Sequence, residues 1–250
     1  MLISVCMATY NGAKYIREQV DSILNQKFIE NKDVELELVV SDDGSKDNTI
    51  AILQAYNDPR IKIFKHEEHK KFKYFNANRL ASANFENAVR KANGDFIFFS
   101  DQDDVWFPQK LDKQLVALRK LGGVNATAFN MGDESLKIIG NNVYDHNAPF
   151  FSLKDKMGVY GFSMGFTREE LKYILPIPSF VAGHDKYIQY SAMWRKRLHF
   201  IDEPLAIHRW TGTHNVSSFS SDNNRQPPFL VKAFFRLYTY ASVIWRSYTR

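Results

Sequence analysis

The first 121 residues alternate two hydrophobic periods, and that alternation restricts the chain to a small set of folds. LISVCM (Leu2 to Met7), VELELVV (Val34 to Val40), IKIFK (Ile61 to Lys65) and DFIFF (Asp95 to Phe99) are short apolar runs with strand character. Between them lie AKYIREQVDSILNQ, with Ile16, Val20, Ile23 and Leu24 at helical spacing, then Asp47 to Tyr56, then LASANFENAVRKA with Asn93-Gly94 as its stop. PQKLDKQLVALRKL follows, opened by Pro108. Strand-helix alternation predicts right-handed crossovers and a mostly parallel sheet flanked by helices, an α/β fold.

The second half is less regular. VNATAFN and VYGFSMGF read as strands, Thr167 with Glu170 as a capping box for a helix through Ile174, about Asp185 to Arg195 as a helix, and His199 to Arg209 as a strand or strand pair. Ser217 to Pro228 is a polar connection to a last helix.

A chain of 250 residues with 44% apolar and 24% charged residues has a globular composition. Its one cysteine, Cys6, lies inside an apolar run and forms no internal disulfide, which fits a reducing compartment. No signal-peptide pattern and no 18-residue uncharged apolar segment is evident. The net charge of +5 admits phosphate-bearing partners (nucleic acid, nucleotides or an anionic membrane) without choosing among them.

Open parallel sheets bind ligands beyond the carboxyl ends of their strands. Three polar clusters are expected there: Thr9, Tyr10 and Asn11; Asp42 and Asp43; and Asp101, Asp103 and Asp104. Crowded carboxylates raise one another's pKa unless a cation is present, and Mg²⁺ characteristically bridges one or two carboxylates to substrate phosphates. In SDDGS, Gly44 permits a tight turn, and an aspartate at a strand end accepts from a base or ribose. No G-x-G-x-x-G or G-x-x-x-x-G-K-[ST] occurs, which disfavours dinucleotide and P-loop readings. Asp101 to Val105 also fits the D-x-D-x-[TV] nucleophile motif of haloacid-dehalogenase-like phosphatases, with Asp101 attacking phosphate, although that motif usually follows a first strand. A non-catalytic sugar- or lipid-binding module is the third alternative. The KHEEHKKFK stretch from Lys65 to Lys73 reads as a solvated loop, and Asn125-Ala-Thr and Asn215-Val-Ser as chance glycosylation matches.

ATYNG (Ala8 to Gly12), SDDGS (Ser41 to Ser45), NGDFIFFSDQDDVW (Asn93 to Trp106) and GHDKY (Gly183 to Tyr187) resemble, in order and spacing, the motifs of family 2 glycosyltransferases. The wording SDQDDVW and the later His-Asp pair look most like the bacterial rhamnosyltransferase branch. The resemblance covers roughly residues 2 to 217 and implies a GT-A fold, with a nucleotide-binding half (1–122) and an acceptor-binding half (123–217), and an inverting enzyme using Mg²⁺ or Mn²⁺. It implies a UDP- or dTDP-sugar donor and a glycan or lipid-linked acceptor for surface polysaccharide, and no nucleic-acid partner. By position, Asp43 with Asp42 would bind the base, and Thr9, Tyr10 and Asn11 would line the nucleotide pocket. Asp101 and Asp103 form the D-x-D motif and would hold the metal, Asp103 foremost with Asp104 beside it and Asp101 also at the nucleotide, and Asp185 matches the general base. Trp106 and His184 would border the donor or acceptor. Arg209 and His214, in HRWTGTHNVS, would face the diphosphate or metal, though His208 stands where that branch usually has tyrosine.

From Asn223 to Arg250 there is no acidic residue. On a helical wheel Lys232, Arg236, Arg246 and Arg250 share an arc of about 80°, opposite Leu230, Phe234, Leu237, Ile244, Trp245 and Tyr248. This pattern, over 229–250 beyond a linker that begins near 218, fits either a helix lying in a membrane interface or one docked on the domain with its basic face in water. The first option implies a cytoplasmic protein, peripheral on the inner face of the membrane.

Overall fold

In the computed structural model, residues 1–66, 72–142, 144–151, 158–210 and 227–250 are described. The order is β1 (Leu2–Thr9), α1 (Ile16–Leu24), β2 (Glu35–Asp42), α2 (Thr49–Ala55), β3 (Ile61–Lys65), α3 (Asn76–Lys91), β4 (Phe96–Ser100), β5 (Val105–Trp106) and α4 (Lys110–Leu121). There follow β6 (Val124–Gly132), β7 (Ile138–Asn142), β8 (Met164–Thr167), α5 (Leu171–Ile174), α6 (His184–Trp194), β9 (Leu198–Arg209) and α7 (Phe229–Thr249). One sheet runs β3-β2-β1-β4-β8-β6-β9-β5, with β7 on β6. β3, β2, β1 and β4 are mutually parallel, as the alternation requires. Beyond β4 the sheet is mixed: β8 pairs antiparallel with β4 and β6, and β6 runs parallel to β9.

β1 shows why its run is apolar throughout. Ile3, Val5 and Met7 face α1 and α4, whereas Cys6 faces α3 and α6. Successive strand residues alternate faces, so a sheet covered on both sides leaves no polar stripe. Two polar residues are nonetheless buried at its start. Glu37 of β2 accepts from Ser4 Oγ at 2.6 Å and Asn93 N at 2.6 Å, and pairs with Lys62 at 2.6 Å. Gly94 is fixed by the same crossing rather than by ending a helix. A Cβ there would lie 2.5 Å from the Ser4 backbone nitrogen.

Several sequence expectations shift locally. α3 begins at Asn76, one turn before the expected Leu80, after Phe75 in a left-handed conformation (φ 54°). Of VYGFSMGF only the last three residues are strand, within β8 (Met164–Thr167); Gly161–Ser163 forms a 3₁₀ turn. The Thr167–Glu170 capping box does not form. Thr167 Oγ1 is buried without a partner and Glu170 turns to Arg195 and Arg197 instead.

The C-terminal helix corrects the second option above. α7 docks through Phe235, Thr239, Tyr240, Val243 and Arg246. The basic arc thus includes the docked face: Arg246 is buried and donates to the carbonyls of Ile174 at 3.0 Å and Pro176 at 2.7 Å. The apolar arc is left outward.

Candidate functional site

The carboxyl ends of β1 and β2 are level, with Thr9 opposite Asp42 and Asp42 opposite Lys65. Just past them the chain folds into a turn built on Asp42. Its Oδ2 accepts from the backbone N–H of Gly44 at 3.1 Å and Ser45 at 2.9 Å, and its Oδ1 from Thr9 Oγ1 at 3.0 Å and Ser45 Oγ at 2.5 Å. Asp42 and Thr9 are therefore occupied in shaping the turn. Asp43 stands beyond it, with His66 Nδ1 at 2.9 Å from its Oδ1. Asn11 (φ 48°) accepts from Lys46 N at 2.9 Å, and Tyr10 is exposed at the rim.

Tyr10 is also tied to the acidic loop. Its N–H donates to Gln102 Oε1 at 2.9 Å, and Gln102 Nε2 donates back to its carbonyl at 3.1 Å. Gln102 separates Asp101 from Asp103, so this two-way bridge joins the segment after β1 to the D-x-D loop at the end of β4.

Within that loop the structure holds an excess of negative charge. Burial, then Asp104 and Asp103, raise Asp101 well above the usual carboxylate range, and Asp185 adds to the effect. Burial and Asp104 push Asp103 up to about 7. Three internal cations oppose this charge. Burial disfavours the charged form of His208, but Asp104, Asp101 and Asp103 outweigh it and push its pKa up to about 9. Its Nδ1 donates to Asp104 Oδ1 at 2.8 Å while its ring stacks on Phe162 at 4.9 Å. Arg209 donates from its backbone to Asp104 Oδ1 at 3.1 Å, from Nε to the Asp103 carbonyl at 2.9 Å, and from its two terminal nitrogens to the Glu134 carbonyl and Glu18. Lys110 is wholly buried, 4.2 Å over the Trp106 ring, and burial pushes it down to about 7.

These contacts locate the expected site residues. Arg209 clamps the acidic loop to its surroundings: Nε holds the Asp103 carbonyl, while the terminal nitrogens hold the Glu134 carbonyl and Glu18. Trp106 is buried in the core beside Leu111 and Leu115. His184 turns inward, its ring 4.4 Å from Phe85 and 5.4 Å from Phe99, and burial lowers its pKa. Asp185 lies in the first turn of α6, half-buried, with Oδ1 accepting from Lys186 N at 2.7 Å. Its neighbour Gly183 leaves room for it: a Cβ there would lie 2.7 Å from Asp185 Oδ1. His214 and the rest of the 211–226 stretch lie outside the described residues. Asn125 is buried and bonded in both directions to Gln114, which removes it as a glycosylation acceptor in the folded chain.

Among the described residues no group of three or more His, Cys, Asp or Glu side chains converges to hold a metal. A cation such as Mg²⁺ or Mn²⁺ needs fewer, since water and phosphate oxygens complete its shell. Asp101 and Asp103 supply hard oxygens, and the buried Oδ2 of Asp104 lacks a partner. This oxygen-only, electron-rich donor set fits such an ion.

Sequence reasoning missed His66 and Gln102. His66 belongs to a stretch taken for a solvated loop, yet it is buried and paired with Asp43. Its position directly after β3, at the same edge as Asp43, is the signal that marks it.

The family model described as glycosyl transferase family 2 matches residues 4–175. The chain is 33% identical over 141 residues to the Escherichia coli UDP-Glc:alpha-D-GlcNAc-diphosphoundecaprenol beta-1,3-glucosyltransferase WfgD, covering 56% of this chain and 48% of that protein. It thus spans about half the length of this relative. Among solved structures, Staphylococcus aureus TarS with UDP-GlcNAc superposes with a TM-score of 0.64 at 20% identity, over 87% of this chain and 61% of that one. The Pyrobaculum calidifontis mannosyltransferase PcManGT, with GDP-Man and Mn²⁺, gives 0.59 at 16% identity, over 98% and 73%. The shared architecture is the GT-A fold, and the family match displaces the phosphatase reading of Asp101. With motif order, sheet topology and family model in agreement, the chain belongs to glycosyl transferase family 2.

Proposed function

We propose that the protein is a metal-dependent, inverting transferase that moves a hexose from a nucleoside-diphosphate sugar to a hydroxyl of a lipid-linked glycan. The observation that carries this reading is the acidic loop after β4, where Asp101, Asp103 and Asp104 crowd together, with Asp185, the one carboxylate of α6, close enough to add to the rise in the Asp101 pKa. WfgD's stated donor and diphosphoundecaprenol acceptor, and the UDP-GlcNAc bound by TarS, support the choice of substrates.

In this reading Asp43, positioned by His66, receives the base, and Tyr10 and Asn11 border the nucleotide. Asp103 and Asp101 would hold Mg²⁺ or Mn²⁺, whose chemistry is to offset charge on the departing diphosphate. Asp185 accepts the proton of the acceptor hydroxyl. That oxygen bonds to the anomeric carbon from the face opposite the diphosphate, the bond to the diphosphate oxygen breaks, and the configuration inverts. A base of this kind contributes about 10²- to 10⁴-fold.

The same reading places the chain against the inner face of a membrane. Among the described residues no helix is long and apolar enough to cross one. α7 instead presents Leu230, Phe234, Leu237, Trp245 and Tyr248 outward at 53–79% exposure. Docked with its apolar arc outward, it has the layout of an interfacial helix.

The test is sugar transfer from a panel of nucleotide sugars to a lipid-linked acceptor. Asp185→Asn is expected to lose at least about a hundredfold in kcat while still binding donor. Asp103→Asn is expected to lose the Mn²⁺-dependent part of donor binding. Near wild-type transfer by both variants would overturn the assignment.

A further inference from the structure

Between the start of α3 and the start of α7 lies a groove of about 380 Å³, walled by Lys73, Tyr74, Arg79, Phe180, Leu230 and Phe234 among others. Among the described residues its lining contains two cations and no carboxylate. Arg79 is the unusual member. Its guanidinium stacks 3.6 Å from the Phe72 ring centre and lies 5.6 and 5.7 Å from those of Phe180 and Phe235. Its Nε is buried and has no hydrogen-bond partner among the described residues. Burial lowers its pKa. Aromatic faces stabilise a cation but accept no directional N–H bond, so a buried guanidinium donor is left unmatched. An anion with oxygen acceptors meets that need, and a planar guanidinium fits phosphate oxygens best.

Two further features restrict what the anion can be attached to. Leu230 and Phe234 belong both to the groove wall and to the outward stripe of α7. From Leu230 to Tyr248 that stripe runs about 27 Å, given the rise per residue of a helix. The groove therefore opens directly onto the surface assigned to lipid. On its other side, α3 leads to Asp185. Asn78 Cβ lies 3.9 Å from where a Gly183 Cβ would be, and Ser82 Oγ accepts the His184 N–H at 2.8 Å. A ligand spanning from the stripe to the base thus passes Arg79.

We propose that this groove is the acceptor's phosphate subsite, where Arg79 and Lys73 hold the diphosphate of a polyisoprenyl-diphosphate-linked sugar while its lipid stays in the membrane along the α7 stripe. This rests on the lipid-linked acceptor proposed above. It adds the residues that select such an acceptor over a free glycan and set which end of it reaches Asp185.

The test measures binding of the full chain, without turnover, to phosphatidylcholine vesicles doped with geranylgeranyl diphosphate. Controls are vesicles doped with geranylgeraniol, and with phosphatidylglycerol at matched surface charge. The wild type is expected to bind the diphosphate vesicles about 10- to 100-fold more tightly than the geranylgeraniol vesicles, the range for hydrogen bonds to a charged group. Binding to phosphatidylglycerol should be weaker than to the diphosphate. Arg79→Gln should remove most of the preference and Lys73→Ala part of it. Equal binding to diphosphate and phosphatidylglycerol vesicles would overturn the proposal, as would an Arg79→Gln variant that keeps the preference. Should Arg79→Gln fail to fold, Arg79→Lys, which keeps the charge but loses the planar fork, and the surface variant Lys73→Ala decide the matter. Because no sugar is transferred, a wild type that binds these vesicles but transfers no hexose would refute the proposed reaction and leave the groove's role intact.

Discussion

Replacing Arg209 by lysine separates two roles that the sequence alone assigns equally well, diphosphate ligand and loop clamp. The side chain is 3% exposed and donates to two backbone carbonyls, those of Asp103 and Glu134, and to Glu18. Glu18 is 55% exposed, so that pair contributes at most about 1 kcal/mol. Each bond from the charged fork to a partly buried carbonyl contributes about 1.5–3 kcal/mol. Lysine, a single point donor, keeps one of the two carbonyls and leaves the other unmatched, a loss of roughly 2–3 kcal/mol. For a chain of this size that lowers the melting temperature by roughly 5–10 °C. The assay is a thermal melt of Arg209→Lys with and without UDP and Mn²⁺, checked by urea denaturation. The clamp predicts a lowered melt in both conditions. A variant that melts with the wild type yet no longer gains stability from UDP would refute the reasoning and return Arg209 to the diphosphate.

Gly183→Ala should barely alter stability, because the added methyl meets only the end of the Asp185 side chain, yet displacing that carboxylate should lower kcat by about tenfold or more; an unchanged kcat would argue against Asp185 as base. Glu37, held below its ordinary pKa against the cost of burial by Lys62, Ser4 and the Asn93 amide, contributes stability above the unfolded carboxyl value of 4.5 that is lost as pH falls through its lower folded value. Glu37→Gln should therefore be less stable than the wild type at pH 7 by about 1–3 kcal/mol, with the gap closing below the unfolded value, as urea titrations across pH would show. Cys6 is wholly buried and its thiol is pushed far up by that burial, so it should resist iodoacetamide at pH 8 until the chain is unfolded. Trp245, 66% exposed on the outer face of α7, should shift its fluorescence to the blue on anionic vesicles, and Leu237→Glu should suppress the shift.

The first half of the fold was legible because each strand there is covered on both faces and each helix on one, so hydrophobic period alone distinguishes them. β5 and β7 were not. Val105–Trp106 is too short to show a period, and Ile138–Asn142 is an exposed edge, so both are strands only by virtue of partners distant in sequence. The candidate site was legible as three polar clusters at strand ends. What sequence could not show was which way each side chain turns. Asp42 and Asp43 are adjacent and alike in type, yet one is committed to the turn and the other faces His66. His208 and Arg209 looked like a departure from a diphosphate-binding motif. In space they are counter-charges to Asp104, a long-range compensation that no local pattern records. α7 misled through symmetry: its wheel separates basic from apolar residues, and only the carbonyls awaiting Arg246 decide which side faces inward.

The Gln102 bridge has a consequence for anyone exchanging parts between relatives. A Cβ on Gly12 would lie 2.3 Å from Gln102 Oε1, and that oxygen is the acceptor for the Tyr10 amide. The middle letter of D-x-D is thus a mating part for residues 10 to 12, ninety positions upstream. A chimera that takes residues 10 to 12 from one parent and its acidic loop from another would inherit a mismatched joint. Donor preference should therefore transplant only when both segments travel together.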